Sequence, residues 1–133
     1  MDMMKPRKSI AGWWASLRVR LPLGRRGELA AEKHLRRNGY RIVARNFRAA
    51  GAEIDLVAMD GAVLVFVEVK TRRSRAAGAP EEAVDERKQT RMRRAAESFA
   101  RRYRADNTEM RFDIIAIDAS SERLEIELLR NAF

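Results

Sequence analysis

The sequence predicts an α/β domain, and three observations predict it. Two stretches with helical periodicity, 25–38 and 81–104, alternate with strand-like segments in the order α-β-β-β-α-β-β. Asp60-Gly61 stands between two apolar runs, a strong short-range signal for a two-residue hairpin turn. The run Ala62–Val67 is apolar on both faces, which suits a central strand covered on each side. A central sheet with strands flanked by helices accounts for all three.

The elements follow in order. Residues 1–23 form a basic extension to the domain at 24–133. Ile10, Trp13, Trp14, Leu17 and Leu21 recur in it at helical spacing, with Lys8, Arg18 and Arg20 nearby. That pattern fits a short basic amphipathic helix on a membrane surface or a partner. It equally fits a tail that folds its tryptophans onto the domain. Residues 25–38 read as a helix stopped by Asn38-Gly39. Its apolar stripe is Ala31 and Leu35, and Glu28, three and seven residues earlier, falls on that same face and in the first turn. Residues 40–47, 53–59 and 62–70 read as strands, and 71–80 as a basic loop. The helix at 81–104 starts after Pro80 with Glu81 and Glu82, and its apolar stripe is Val84, Met92, Ala95, Ala96, Phe99 and Tyr103. Strands at 110–117 and 123–129, the last at an edge, complete the domain.

Composition narrows the chemistry. The 133 residues suffice for one domain with a core of its own. There is no cysteine, so disulfides, zinc ribbons and thiol catalysis are excluded. His34 is the one histidine, and no serine has the surroundings of a nucleophile elbow. A metal site must therefore be built of carboxylates, which favours Mg²⁺ or Mn²⁺. The net charge is +9, and all but five of the 28 basic residues are arginine, the side chain that grips phosphate with a planar fork. A nucleic acid is the expected partner. No apolar run reaches the length of a membrane span. With no cysteine and no clean signal peptide, the expected location is the cytoplasm.

The stretch EIDLVAMDGAVLVFVEVK, 53–70, sets Glu53, Asp55, Glu68 and Lys70 into otherwise buried strand. A turn at Asp60-Gly61 pairs Met59 with Ala62. Glu53 then opposes Glu68, and Asp55 is the diagonal neighbour of Glu68, with all four charges on one face. Two carboxylates so placed repel each other and favour a proton, unless a divalent cation binds between them. A salt-bridge cluster at the end of the sheet is the competing explanation. A hard cation held by carboxylates, beside a lysine and a basic surface, suits phosphodiester chemistry.

Asp55, followed thirteen residues later by Glu68-Val69-Lys70, resembles the D…(D/E)-x-K signature of the PD-(D/E)xK nuclease superfamily. A more specific likeness covers about residues 24–118. GRRGELAAEKHL (24–35), NGYRIVARNFR (38–48), GAEIDLVAMDGAVLVFVEVKTR (51–72), GAPEEAVDERKQTRMRRAA (78–96) and RFDIIAI (111–117) together resemble the YraN-like family of bacterial proteins, related to archaeal Holliday junction resolvases. The resemblance implies a restriction-endonuclease-like fold with an αβββαβ core and a mixed sheet. It implies Asp55, Glu68 and Glu28 as ligands of Mg²⁺ or Mn²⁺, and Lys70 as the catalytic lysine. The signature's proline is absent, Ile54 standing before Asp55.

Three functional readings follow. The first is a Mg²⁺-dependent endonuclease acting on DNA, branched or damaged DNA included, with Arg25, Arg26, Arg72, Arg73, Arg75, Lys88 and Arg91 contacting the nucleic acid. The second is a nucleic-acid-binding adaptor without catalysis, since phosphate contacts alone give affinity. The third is a membrane-surface or protein-interaction role for the N-terminal extension. A homodimer would suit a junction resolvase, which needs two active sites.

Overall fold

The computed structural model describes residues 22–74 and 78–133. The extension up to residue 21, with its tryptophans, and Arg75 lie outside the described residues. The first helix, α1 (Leu23–Arg37), begins behind Pro22. This is two residues earlier than the sequence pattern suggests, so Glu28 lies in the second turn and the first turn carries no acid. At the other end His34, Arg36 and Arg37 complement the helix dipole, and Asn38 closes the helix as expected.

Five strands follow: β1 (Arg41–Ala49), β2 (Ala52–Asp60), β3 (Val63–Arg72), β4 (Met110–Asp118) and β5 (Glu125–Leu129). They form one sheet in the order β1-β2-β3-β4-β5. All neighbours are antiparallel except β3 and β4, which run parallel. The sheet is therefore mixed, β3 is its central strand, and β5 lies at an edge, as the sequence predicts. A parallel pair requires a long crossover, and helix α2 (Glu86–Arg102) supplies it.

The single long helix expected over 81–104 is instead two pieces. Pro80–Ala83 is a 3-10 turn, and Val84 separates it from α2. Asp85 caps α2 by accepting the amide of Lys88 at 2.9 Å. A side-chain cap of this kind favours a new start over a continuous helix. The apolar stripe of the helix is buried as expected up to Phe99, while Tyr103, past the helix end, is 56% exposed.

Two apolar layers sandwich the sheet. Under α2, Phe66, Phe112 and Ile114 pack against Met92, Ala96 and Phe99. Phe47 and Phe66 each meet Phe99 edge-on, at 5.1 and 5.8 Å. Under α1, Val65, Val67, Ile115 and Ile117 pack against Ala31 and Leu35. No helix of the described residues is long and apolar enough to cross a membrane.

Gly27 sets how closely α1 approaches the sheet. A Cβ there would lie 2.2 Å from Thr71 Oγ1, 3.3 Å from Thr71 Cβ and 3.5 Å from Ile117 Cδ1. The glycine is thus part of the packing between α1 and β3. Gly27→Val should push the helix off β3 and cost about 1–3 kcal/mol, read by chemical denaturation.

Candidate active site

The hairpin between β2 and β3 positions the acids. Its turn is Gly61-Ala62, because Asp60 pairs with Val63. Gly61 takes φ +59°, the left-handed conformation the turn demands. The register is therefore shifted by two residues from the Met59–Ala62 pairing expected of an Asp-Gly turn. An even shift keeps each side chain on its face. Continued one step beyond the last pair, Leu56 with Val67, this register would bring Asp55 opposite Glu68 instead of diagonal to it.

The ladder stops at that step. Asp55 Oδ2 accepts the Val69 backbone N–H at 2.7 Å, so a carboxylate takes over a bond that the strand backbone would otherwise make. Ile54 and Val57, three residues apart, both pack under α2. The simple alternation of β2 is broken between them, and Asp55 falls in the break. Glu53 points to solvent and pairs with Arg48 at 3.5 Å. It is exposed, yet it borders the same cleft as Asp55 and Glu68.

Asp55 and Glu68 line one cleft of about 410 Å³, together with Glu53, Lys88, Arg91 and Met92. Glu68 is 6% exposed. Its Oε1 accepts a bond from Lys88 Nζ at 2.8 Å, and its Oε2 is buried without a partner. Burial first, and then the charge of Glu68, push the Asp55 carboxyl up to about 7; the Val69 amide pulls the other way, and Glu28 and Glu53 add to the rise. The folded state therefore holds the Asp55 proton more tightly than the unfolded chain. Stability from this proton is complete below the ordinary value of 3.8 and lost as pH rises through about 7. Without divalent cations, the unfolding midpoint should fall across that interval, as measured by thermal melts at several pH values.

The other expected site residues are distributed around this cleft. Glu28 is not buried: its side chain is 38% exposed and pairs with Arg25 at 3.4 Å. The buried face of α1 is Gly27, Ala31 and Leu35, and Glu28 flanks it. The charge of Glu28 adds to the rise at Asp55. Among the described residues, no three His, Asp or Glu side chains gather closely enough to hold a metal alone. Lys70 is half-buried and lines two neighbouring clefts, on the side of Arg72 and Ser74. Arg72 lies in β3, not in the loop, and donates to the Gly78 and Ala79 carbonyls at 2.6 and 3.4 Å. It braces the loop instead of facing solvent. Arg73 and Arg91 are exposed. Arg26 lies by α1 in another cleft, with Lys33 and Arg37.

The donor set fits a hard divalent cation. Two carboxylates line one cleft, one carries a buried oxygen with no partner, and the other is pushed towards protonation by burial and then by its neighbour. Mg²⁺ commonly takes one or two carboxylates and completes its shell with water and substrate phosphate. Asp55 and Glu68 would hold it. Lys88 as the partner of Glu68 went beyond what the sequence pattern suggested. The signal was there in the spacing: Val84, Lys88 and Met92 recur every four residues, on the face turned to the sheet.

The comparison with known proteins identifies a family. The model of a family described as Uncharacterised protein family UPF0102, the YraN family, matches residues 27–117. The chain belongs to this family. A UPF0102 protein of Symbiobacterium thermophilum is 47% identical over 84% of this chain and 95% of its own length. A UPF0102 protein of Caldicellulosiruptor saccharolyticus is 44% identical over 84% of the chain and 96% of its own length. One from Solibacter usitatus is 48% identical over 83% and 84% respectively. The UPF0102 match begins at the glycine that seats α1 and ends in β4, so it spans the hairpin, the candidate site and the crossover helix.

Proposed function

We propose that this UPF0102 protein is a metal-dependent endonuclease that hydrolyses phosphodiester bonds in nucleic acid, DNA first. The observation that carries the reading is the pairing of Asp55 with Glu68 in one cleft, with one carboxylate oxygen of Glu68 buried and unsatisfied. Leaving such an oxygen without a partner is costly unless a ligand takes it up. Mg²⁺ or Mn²⁺, when bound, would polarise the scissile phosphate and lower the pKa of a water. Asp55 and Glu68 would fix the position of that charge. Lys70, two residues after Glu68 on the same strand, would stabilise the negative charge that develops on the phosphate. The Val69 amide keeps one oxygen of Asp55 in place. Arg73 and Arg91, both exposed beside these clefts, and the net charge of +9 supply the phosphate contacts.

The test is cleavage of labelled four-way junction, flap, single-stranded and duplex DNA with Mg²⁺ or Mn²⁺. Cutting that requires the metal and disappears in Asp55→Ala and Glu68→Ala supports the reading and identifies the preferred structure. Binding to every substrate with no cutting, unchanged in both variants, would instead support a non-catalytic adaptor built on the same fold.

A further inference from the structure

Glu68 already holds a cation, and that cation belongs to the protein. Lys88 Nζ is 2.8 Å from Oε1, with the Glu68 side chain 8% exposed and that of Lys88 35% exposed. The backbone of Lys88 is anchored, since its amide is bound by the Asp85 cap. Its four-carbon stem is free to turn. Exposed Arg91 lines the same cleft.

Glu68 without a partner would be an uncompensated buried charge, so the metal-free fold needs Lys88. A divalent ion bound through Oε1 requires the ammonium to leave that oxygen, because two cations on one oxygen repel. We propose that Lys88 is a resident competitor for the metal position. It pairs with Glu68 before a cation arrives, is displaced by the cation, and then takes a substrate phosphate beside Arg91. This rests on the metal-binding reading of Asp55 and Glu68. Lysine suits the task because it is a compact, flexible charge that is readily hydrated on release, whereas arginine would hold the carboxylate with two bonds.

Mn²⁺ binding to the full-length protein, read by the electron paramagnetic resonance of free Mn²⁺, tests the first half. Lys88→Met should bind Mn²⁺ about tenfold more tightly than the wild type. Arg91→Met removes the same charge from the cleft without touching Glu68 and should change affinity by less than about threefold. Binding of a labelled duplex in Ca²⁺, read by anisotropy, tests the second half: Lys88→Met should weaken it about threefold or more. A purely structural role for Lys88 would weaken both, so opposite signs identify the exchange. Lys88→Gln, which keeps a donor towards Glu68 without the charge, should fall between wild type and Lys88→Met and serves if the methionine variant does not fold. If the wild type binds Mn²⁺ and Lys88→Met binds it no more tightly, or Arg91→Met tightens it equally, the competitor role is overturned and the metal site stands. Unchanged duplex binding overturns the phosphate role. No Mn²⁺ binding in wild type or variants overturns the metal site and this inference together.

Discussion

The Asp55→Asn variant should lose metal-dependent cleavage by about a thousandfold or more and, without metal, become more stable than the wild type. Both effects come from one carboxylate. Asparagine keeps an oxygen to accept the Val69 amide, a bond of 2.7 Å in the native protein. Its amide adds a donor that can face the unsatisfied Oε2 of Glu68. What it removes is the negative charge that a divalent cation needs. In the metal-free protein that charge is a liability, since burial and Glu68 push the Asp55 carboxyl up to about 7. At pH 8 the wild type must ionise a group that its fold prefers neutral. Asp55→Asn escapes this, and the expected gain is about 1–3 kcal/mol after discounting for partial solvent access. The gain should vanish near pH 4, where wild-type Asp55 is protonated in the folded state. Denaturation at both pH values, beside single-turnover cleavage, measures the two effects. Lower stability for Asp55→Asn at pH 8 would mean that Asp55 serves the fold more than a ligand.

The second large effect is expected at the other buried acid. Asp113 on β4 is fully buried and takes four hydrogen bonds. Tyr40 O–H donates to Oδ2 at 2.8 Å, Arg111 donates to both oxygens at 2.9 and 3.1 Å, and the Asn131 backbone N–H donates to Oδ1 at 2.9 Å. Arg111 also reaches Asp60 at 2.9 Å, and Arg130 donates to the Tyr40 oxygen at 3.0 Å. The guanidinium of Arg111 is held more basic than usual, chiefly by its bond to Asp113. One carboxylate thus ties the start of β1, the start of β4 and the C-terminal segment together. Asp113→Ala would take one acceptor from each of Tyr40, Arg111 and Asn131, and Arg111 would keep only Asp60 and the Tyr40 oxygen. The expected loss is about 3–5 kcal/mol, the scale for breaking one partner out of a buried ion pair. Asp113→Asn, which retains one acceptor oxygen, should lose less. Urea denaturation of the two variants gives the order.

The contrast between these acids shows what the sequence could and could not reveal. An acid inside an apolar strand is visible as an anomaly in both EIDLV and RFDII, but the anomaly does not say whether partners are waiting. Asp113 is satisfied from residues up to 73 positions away, and no local pattern shows this. The strands and the central place of β3 were legible because Ala62–Val67 has no polar face and hairpin strands follow each other directly, while the mixed sheet came from the family resemblance. The register was not, because Asp60-Gly61 and Gly61-Ala62 are both short turns containing the same glycine. The two-residue difference between them gave Phe66 to Val57 instead of Asp55. The face assigned to Glu28 failed for a related reason: two apolar residues define a helix stripe loosely, and Gly27, invisible as an apolar residue, is its true continuation.

Gly27 also governs stiffness. Side chains along β3 alternate, so Glu68 faces α2 while Thr71 meets α1. Because Gly27 has no side chain, the helix rests on Thr71 with nothing compressible between them. Lys70 is the residue before that seat. Its backbone is clamped from the face opposite the carboxylates, and a tilt of α1 would be transmitted to the lysine as displacement instead of being absorbed by rotamers.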